Sequence, residues 1–299
     1  MTRAYWPLLL VLAGAWGSSY LFIKLGVDGG LEPAPLMCAR LLSSGALLFA
    51  VLALRLGLRP SARALARAWK ACVPIGILSA TIPMWLVAWG EQRIDSTVAG
   101  IAQATVPIFT VLFALRFIPG ERSTPARWIG IAAGLVGVGV LTGVDTSGGW
   151  PAVLGTLAVV GASLSYASSN VFAQRSVRSI EGPVLATGAM LVGGLALVPI
   201  ALFQIPGRAP DGDAVAGLVV LILLGTVLAQ LVYYRLLEGY GASRTSLVTY
   251  LMPAVALALG VAFLDEPLRA AAVLGLTLIL AGVALGSSRL RLPVRQSGG

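Results

Sequence analysis

The sequence predicts an all-α polytopic membrane protein: ten transmembrane helices arranged as two inverted five-helix repeats. Three observations carry this. Hydrophobic residues make up 58% of the chain, charged residues 11%, and the mean hydropathy is +0.91, against about 45–50% apolar and 25% charged in soluble domains. Apolar runs of about the 20 residues that cross a bilayer core recur along the whole length. Finally, WGSSYLFIK in the first run returns 150 residues later as YASSNVFAQ in the sixth.

Taken in order, the predicted spans are 5–25, 33–54, 69–90, 95–115, 126–144, 150–172, 183–205, 213–236, 243–264 and 268–287. The links between them are short, the longest being the basic segment Arg55 to Lys70, so no soluble catalytic domain fits. This divides the chain into a first repeat over 1–146, a second over 147–288 and a basic tail over 289–299. The run after Arg3 is span-length and lacks a small-x-small cleavage site, so it is expected to be a span and not a signal peptide.

In the first span, Ala13, Trp16, Gly17, Tyr20 and Lys24 share one face at about 100° per residue. Trp16, Tyr20 and Lys24 recur as Tyr166, Asn170 and Gln174 in the sixth span, which places a site between two polar-aromatic stripes. The second span holds Arg40. A cation at mid-bilayer costs about 2.5–3.5 kcal/mol on insertion scales, so it snorkels, bonds to carbonyls or faces a cavity where it can grasp a carboxylate. Its mate is Gly188 and that of Lys24 is Gln174, so a charged contact can come from one half only.

Trp89 of the third span suits an interfacial belt, whereas Trp85 lies about a turn deeper and joins the expected site. In the fourth span Ser96, Gly100, Gln103 and Pro107 lie on one face, as do their mates Ala242, Ser246, Thr249 and Pro253 in the ninth. A proline in mid-span frees a backbone carbonyl, so Pro107 and Pro253 are candidate hinges or helix breaks, with a packing kink as the alternative. The eighth span adds Thr226, Gln230, Tyr234 and Glu238 at successive spacings of 4. Gly130, Gly134 and Gly137 in the fifth span, with Gly275 and Gly282 in the tenth, read as close helix packing away from the site.

The repeat extends over both halves. Pro35 pairs with Pro183 at a spacing of 148, Pro107 with Pro253 at 146, and Glu121, Gly130 and Gly137 with Glu266, Gly275 and Gly282 at 145. Five is odd, so the second copy must enter the membrane upside down. With both termini inside, the cytoplasmic segments hold 16 basic residues and the external ones 4, Lys24, Arg93, Arg208 and Arg269. That asymmetry predicts the orientation.

Several chemistries drop out. The chain has no histidine and no GxxxxGK[ST] run, so zinc or di-iron sites, His-based triads and ATP hydrolysis are not expected. Cys38 and Cys72 sit near opposite ends of neighbouring spans and imply no disulfide. The net charge of +9 is explained by topology, so no nucleic acid partner is expected. No cofactor, metal or enzymatic activity is predicted. The partners are the bilayer and a small-molecule substrate.

AGAWGSSYLFIKLG, PLMCARLLSSGALL, and the paired closing segments GERSTPARWIGIAAGLVGVGVL and LDEPLRAAAVLGLTLILAGVAL resemble the EamA-type transporters of the drug/metabolite transporter superfamily. The resemblance implies a ten-helix bundle with a central cavity and export of small metabolites such as amino acids from bacteria. The expected function is therefore an inner (plasma) membrane exporter working by alternating access. Its expected substrate-binding residues are Trp16, Tyr20, Trp85, Gln103, Tyr166, Asn170, Gln230, Tyr234 and Thr249, with Arg40 and Lys24 as carboxylate contacts or structural groups. A drug or lipophilic-cation exporter is the alternative within the class, and a membrane-embedded enzyme the alternative outside it.

Overall fold

A computed structural model describes residues 4–118, 124–144, 149–176, 180–204, 207 and 209–287. Among these the chain is all helical. The helices are α1 (Tyr5–Gly17), α2 (Ser19–Asp28), α3 (Pro33–Leu56), α4 (Leu58–Gly76), α5 (Ile82–Glu91), α6 (Ser96–Gln103), α7 (Val106–Phe117) and α8 (Pro125–Val144). They continue as α9 (Gly149–Ser176), α10 (Gly182–Phe203), α11 (Gly212–Ile222), α12 (Ala229–Tyr240), α13 (Ala242–Thr245), α14 (Val248–Phe263) and α15 (Ala270–Ser287). Seven continuous segments are long and apolar enough to cross a membrane: Tyr5–Asp28, Pro33–Leu56, Leu58–Glu91, Ser96–Phe117, Gly149–Gln174, Gly182–Phe203 and Gly212–Tyr240. Three shorter apolar helices, Pro125–Leu141, Val248–Phe263 and Ala270–Leu285, stand where the sequence places its fifth, ninth and tenth spans.

Two interruptions have the same form. A π-helical turn, Ile77–Thr81, joins α4 to α5, and another, Leu223–Leu228, joins α11 to α12. Thr81 Oγ1 donates to the Gly76 carbonyl at 3.3 Å and Thr226 Oγ1 to that of Leu221 at 3.0 Å, five residues back in each case. The other breaks are tighter. Ser18 separates α1 from α2, and the backbone turns at Ala104 and Thr105, whose amides reach back only three residues, to Ile101 and Ala102. Pro107 sits just after that second break at the start of α7, where it has no N–H to offer the Gln103 carbonyl.

Two expectations need correcting. The basic segment Arg55 to Lys70 is not a link: the helix begins at Leu58 and runs continuously into the third span, to Glu91. Gly57, with φ 89, makes the corner from α3, a left-handed conformation that costs glycine little. Pro253 does not break its helix: it lies inside α14, and the interruption falls earlier, at Ser246 and Leu247 between α13 and α14.

The core forms where α3 packs on α10, α8 on α15, α5 on α9, α2 on α11 and α6 on α14. Glycine sets the α8–α15 contact: a Cβ at Gly282 would lie 2.5 Å from the Gly130 carbonyl, and one at Gly137 2.9 Å from that of Gly275. These glycines are packing residues, as their sequence pattern indicates. Beyond α14, Asp265 takes a left-handed backbone (φ 52). The buried Glu266 carboxylate then accepts from the Ser96 and Thr97 amides at 2.6 and 2.9 Å, closing the start of α6. Its sequence mate Glu121 lies outside the described residues.

Candidate functional site: a central cavity with one buried arginine

A cavity of about 560 Å³ runs through the middle of the bundle. Its walls come from both halves of the chain. From the first half come Trp16, Ser19, Tyr20, Ile23, Arg40, Ile75, Ser79, Met84, Val87, Gly100 and Gln103; from the second come Tyr166, Ser169, Asn170, Gly225, Thr226, Gln230, Tyr233, Tyr234, Thr249 and Pro253. Eight of the nine residues expected to bind substrate line this one space: Trp16, Tyr20, Gln103, Tyr166, Asn170, Gln230, Tyr234 and Thr249.

The ninth, Trp85, does not. It packs against the core, with its indole Nε1 enclosed and without a hydrogen-bond partner. The π turn supplies the reason. Ile75 and Ser79 line the cavity before or within it, and Met84 and Val87 after it. One extra residue in the turn rotates all that follows by about 100°, so a face extrapolated at regular helical spacing points elsewhere.

Arg40 is the only charged residue among the lining residues described. It is 4% exposed. Its Nε donates to Thr226 Oγ1 at 3.0 Å, and one terminal nitrogen to the Gly225 carbonyl at 3.3 Å and Ser19 Oγ at 3.4 Å. The π turn makes this possible, because shifting the i→i−4 ladder by one residue leaves carbonyls such as that of Gly225 open to a side chain. All three partners are neutral. They solvate the guanidinium without cancelling its charge, and among the described residues no carboxylate pairs with it.

Lys24 takes the structural role. It lies outside the cavity lining, where Nζ donates to the Glu91 carbonyl at 2.8 Å and pairs with Asp28 at 3.3 Å, tying α2 to α5 beyond the Ile23 and Val87 end. The Glu91 side chain there is fully buried, and neither carboxylate oxygen has a hydrogen-bond partner. At the opposite end the cavity reaches the surface at the exposed Asn170. Pro107 is not a lining residue, although its neighbour Val106 is, whereas Pro253 is one.

The walls offer two kinds of contact. Trp16 stacks near Tyr233 with ring centroids 5.4 Å apart, and Tyr233 meets Tyr234 edge-on at 5.3 Å, making a continuous aromatic face. Such a face takes apolar groups by area and cations through its rings. Gln103 is 8% exposed, and neither its amide nitrogen nor its oxygen has a partner, leaving one donor group and one acceptor for a guest. The sequence reading omitted Tyr233, Ser19 and Ser169 from the site. Tyr233 follows from helical spacing, since Gln230, Tyr233, Tyr234 and Leu237 stand at i, i+3, i+4 and i+7 and all line the cavity.

Comparison with other proteins gives this architecture a family. The EamA-like transporter family model matches the chain twice, over residues 4–143 and 153–288. The chain is 32% identical over 287 residues to an Escherichia coli protein described as "Uncharacterized inner membrane transporter YedA", covering 93% of this chain and 88% of that one. It is 30% identical over 301 residues to a Streptantibioticus cattleyicolor protein described as "Probable terminal-alkyne amino-acid exporter", covering 97% and 95%. A second Escherichia coli protein, "Probable amino-acid metabolite efflux pump", is 27% identical over 311 residues, covering 97% of each chain. A crystal structure of a protein 21% identical superposes with a TM-score of 0.68 over 96% of this chain and 98% of the other, a likeness of fold. With both halves matched, the chain belongs to the EamA-like transporter family, and is a membrane transporter and not an enzyme.

Proposed function

We propose that this protein exports small amphipathic metabolites, amino acids foremost, across the bacterial inner membrane by alternating access through the central cavity. The observation that carries the reading is Arg40: a buried guanidinium facing an aromatic-walled cavity, with neutral partners only. A charge so placed favours a guest that brings a carboxylate. The aromatic face then receives the guest's apolar part or its ammonium group, and Gln103 replaces water around its polar atoms. The names of the Streptantibioticus and Escherichia coli relatives point to the same substrate class.

Two inverted five-helix repeats supply the moving parts. The matched π turns support this, as does reciprocal packing: α1 lies against α12 and α14 of the other half, and α9 against α5, α6 and α7. The basic asymmetry supports an orientation with both termini in the cytoplasm. In that orientation the Asn170 end opens inward while the Lys24–Glu91 tie closes the external end.

Export of lipophilic cations is the weaker reading, since no acid lines the cavity among the described residues. Counterflow in proteoliposomes, screened over the amino acids and a set of carboxylates, amines and amides, tests the proposal. Saturable, structure-selective exchange is expected; exchange of cations alone would sink the carboxylate reading, and turnover of a lipid or peptide without flux would return the enzyme. For orientation, a cysteine at Arg63 should react with an impermeant thiol reagent from the cytoplasmic side only, and one at Gln92 from outside only.

A further inference from the structure

The helix that the sequence reading took for a link carries a second feature, unconnected with the cavity. In α4, Arg59, Arg63, Arg67 and Lys70 fall within an arc of about 80° on one helix face. All four are exposed and none is in an ion pair among the described residues. The helix contains no acid. On the opposite face Ser61, Ala68 and Cys72 are buried, and Cys72 and Ala68 join a core cluster with Val184. Between the two faces, Leu58 and Trp69 are 66% and 56% exposed. The segment Leu58–Glu91 is 34 residues long, or about 51 Å at 1.5 Å per residue, against roughly 30 Å of hydrocarbon. Its first four turns therefore stand at the membrane boundary, with an apolar edge toward acyl chains and a cationic edge toward headgroups.

We infer that the basic face of α4 is a binding site for anionic phospholipid headgroups of the adjacent leaflet. Four unpaired cations beside an apolar flank match a ligand with a phosphate at one end and acyl chains at the other. A soluble anion would leave Leu58 and Trp69 uncovered. Bound lipid would hold the start of the third span, which runs without a gap into Ile75 and Ser79 of the cavity wall.

The full-length protein, purified in detergent and equilibrated with equal amounts of phosphatidylglycerol and phosphatidylcholine, can be weighed with its retained lipids by native mass spectrometry. Wild type should retain phosphatidylglycerol in preference. The Arg59→Gln/Arg63→Gln/Arg67→Gln variant should retain roughly tenfold less of it, with phosphatidylcholine unchanged, and the corresponding Arg→Lys variant should behave as wild type. Free glycerol phosphate should fail to compete, whereas competition by it would reassign the site to a soluble anion. Should the Gln variant not insert, a salt titration of wild type decides: loss of phosphatidylglycerol between 0.05 and about 0.5 M NaCl supports the site. Retention that ignores both salt and the substitutions overturns it.

Discussion

The two π turns share a backbone irregularity and differ in what it serves. At Ile77–Thr81, Thr81 Oγ1 also donates to the Gly193 carbonyl at 3.2 Å, and a Cβ on Gly193 would press into Ala80 at 2.7 Å, so the turn is a seat for a close helix contact with α10. At Leu223–Leu228 the Thr226 hydroxyl and the Gly225 carbonyl turn toward Arg40 and solvate it. One copy uses the displaced backbone for packing, the other for holding a charge beside the cavity. A duplicated defect thus gives the two halves equivalent points of flexure, while the single cation makes the cavity electrostatically one-sided.

The sharpest way to break that comparison is to remove the charge. Arg40→Gln keeps a donor and an acceptor but no cation, and should weaken binding of a carboxylate substrate by about 3 kcal/mol, on the order of a hundredfold. The measurement is the substrate dissociation constant in detergent. Unchanged affinity with a lowered melting temperature would assign Arg40 to structure alone.

Next in size are the aromatic walls contributed by the two stripes. Trp16→Ala or Tyr166→Ala should cost about 1–3 kcal/mol of binding, the scale of losing a buried side chain's apolar contact, with the protein still folded. Phe22 and Phe172 serve as controls because both pack into other clusters and neither lines the cavity. Their truncation should lower stability and spare affinity. The opposite pattern would show that the face had been misassigned.

The success and the failures of the sequence reading have one physical source. Regular helical spacing brought Trp16, Tyr20, Tyr166, Asn170, Gln230 and Tyr234 to one cavity, because α1–α2, α9 and α12 keep their faces over the stretches concerned. It failed at Trp85, where an unannounced extra residue in the π turn rotates the face. No proline or glycine pair marks that residue in the sequence. Arg55 to Lys70 reads as a link because charge excludes it from the hydrocarbon, yet its spacing of 4, 4 and 3 between cations was already that of a helix. Pro253 shows the converse: proline licenses a break without enforcing one where the neighbouring helices hold the chain.

A smaller test separates the two threonines. Thr226→Val removes the acceptor for Arg40 Nε and should cost about 1–3 kcal/mol, since a buried charged donor loses its partner. Thr81→Val loses hydrogen bonds to two carbonyls that are neutral, and should cost about 1 kcal/mol. Thermal unfolding in detergent measures both, and equal losses would mean that the Arg40 contact adds nothing.

The smallest effect is expected at the position where the second half lacks the arginine. Gly188, the sequence mate of Arg40, is buried, and a Cβ there would run into Cys72 Sγ and lie 3.0 Å from Cys72 Cβ. The space that Arg40 occupies in one half is therefore filled by a thiol in the other, and a side chain at 188 meets α4 before it could reach the cavity. Gly188→Ala should gain about 0.8–1 kcal/mol of helix propensity and lose about 1–3 kcal/mol to overpacking, a net destabilisation of about 1 kcal/mol. Cys72→Ala removes the sulfur, so the pair Cys72→Ala/Gly188→Ala should recover that loss in a double-mutant cycle of melting temperatures. Additive effects would mean that Cys72 does not fill the site, and that the missing cation of the second half has no steric cause.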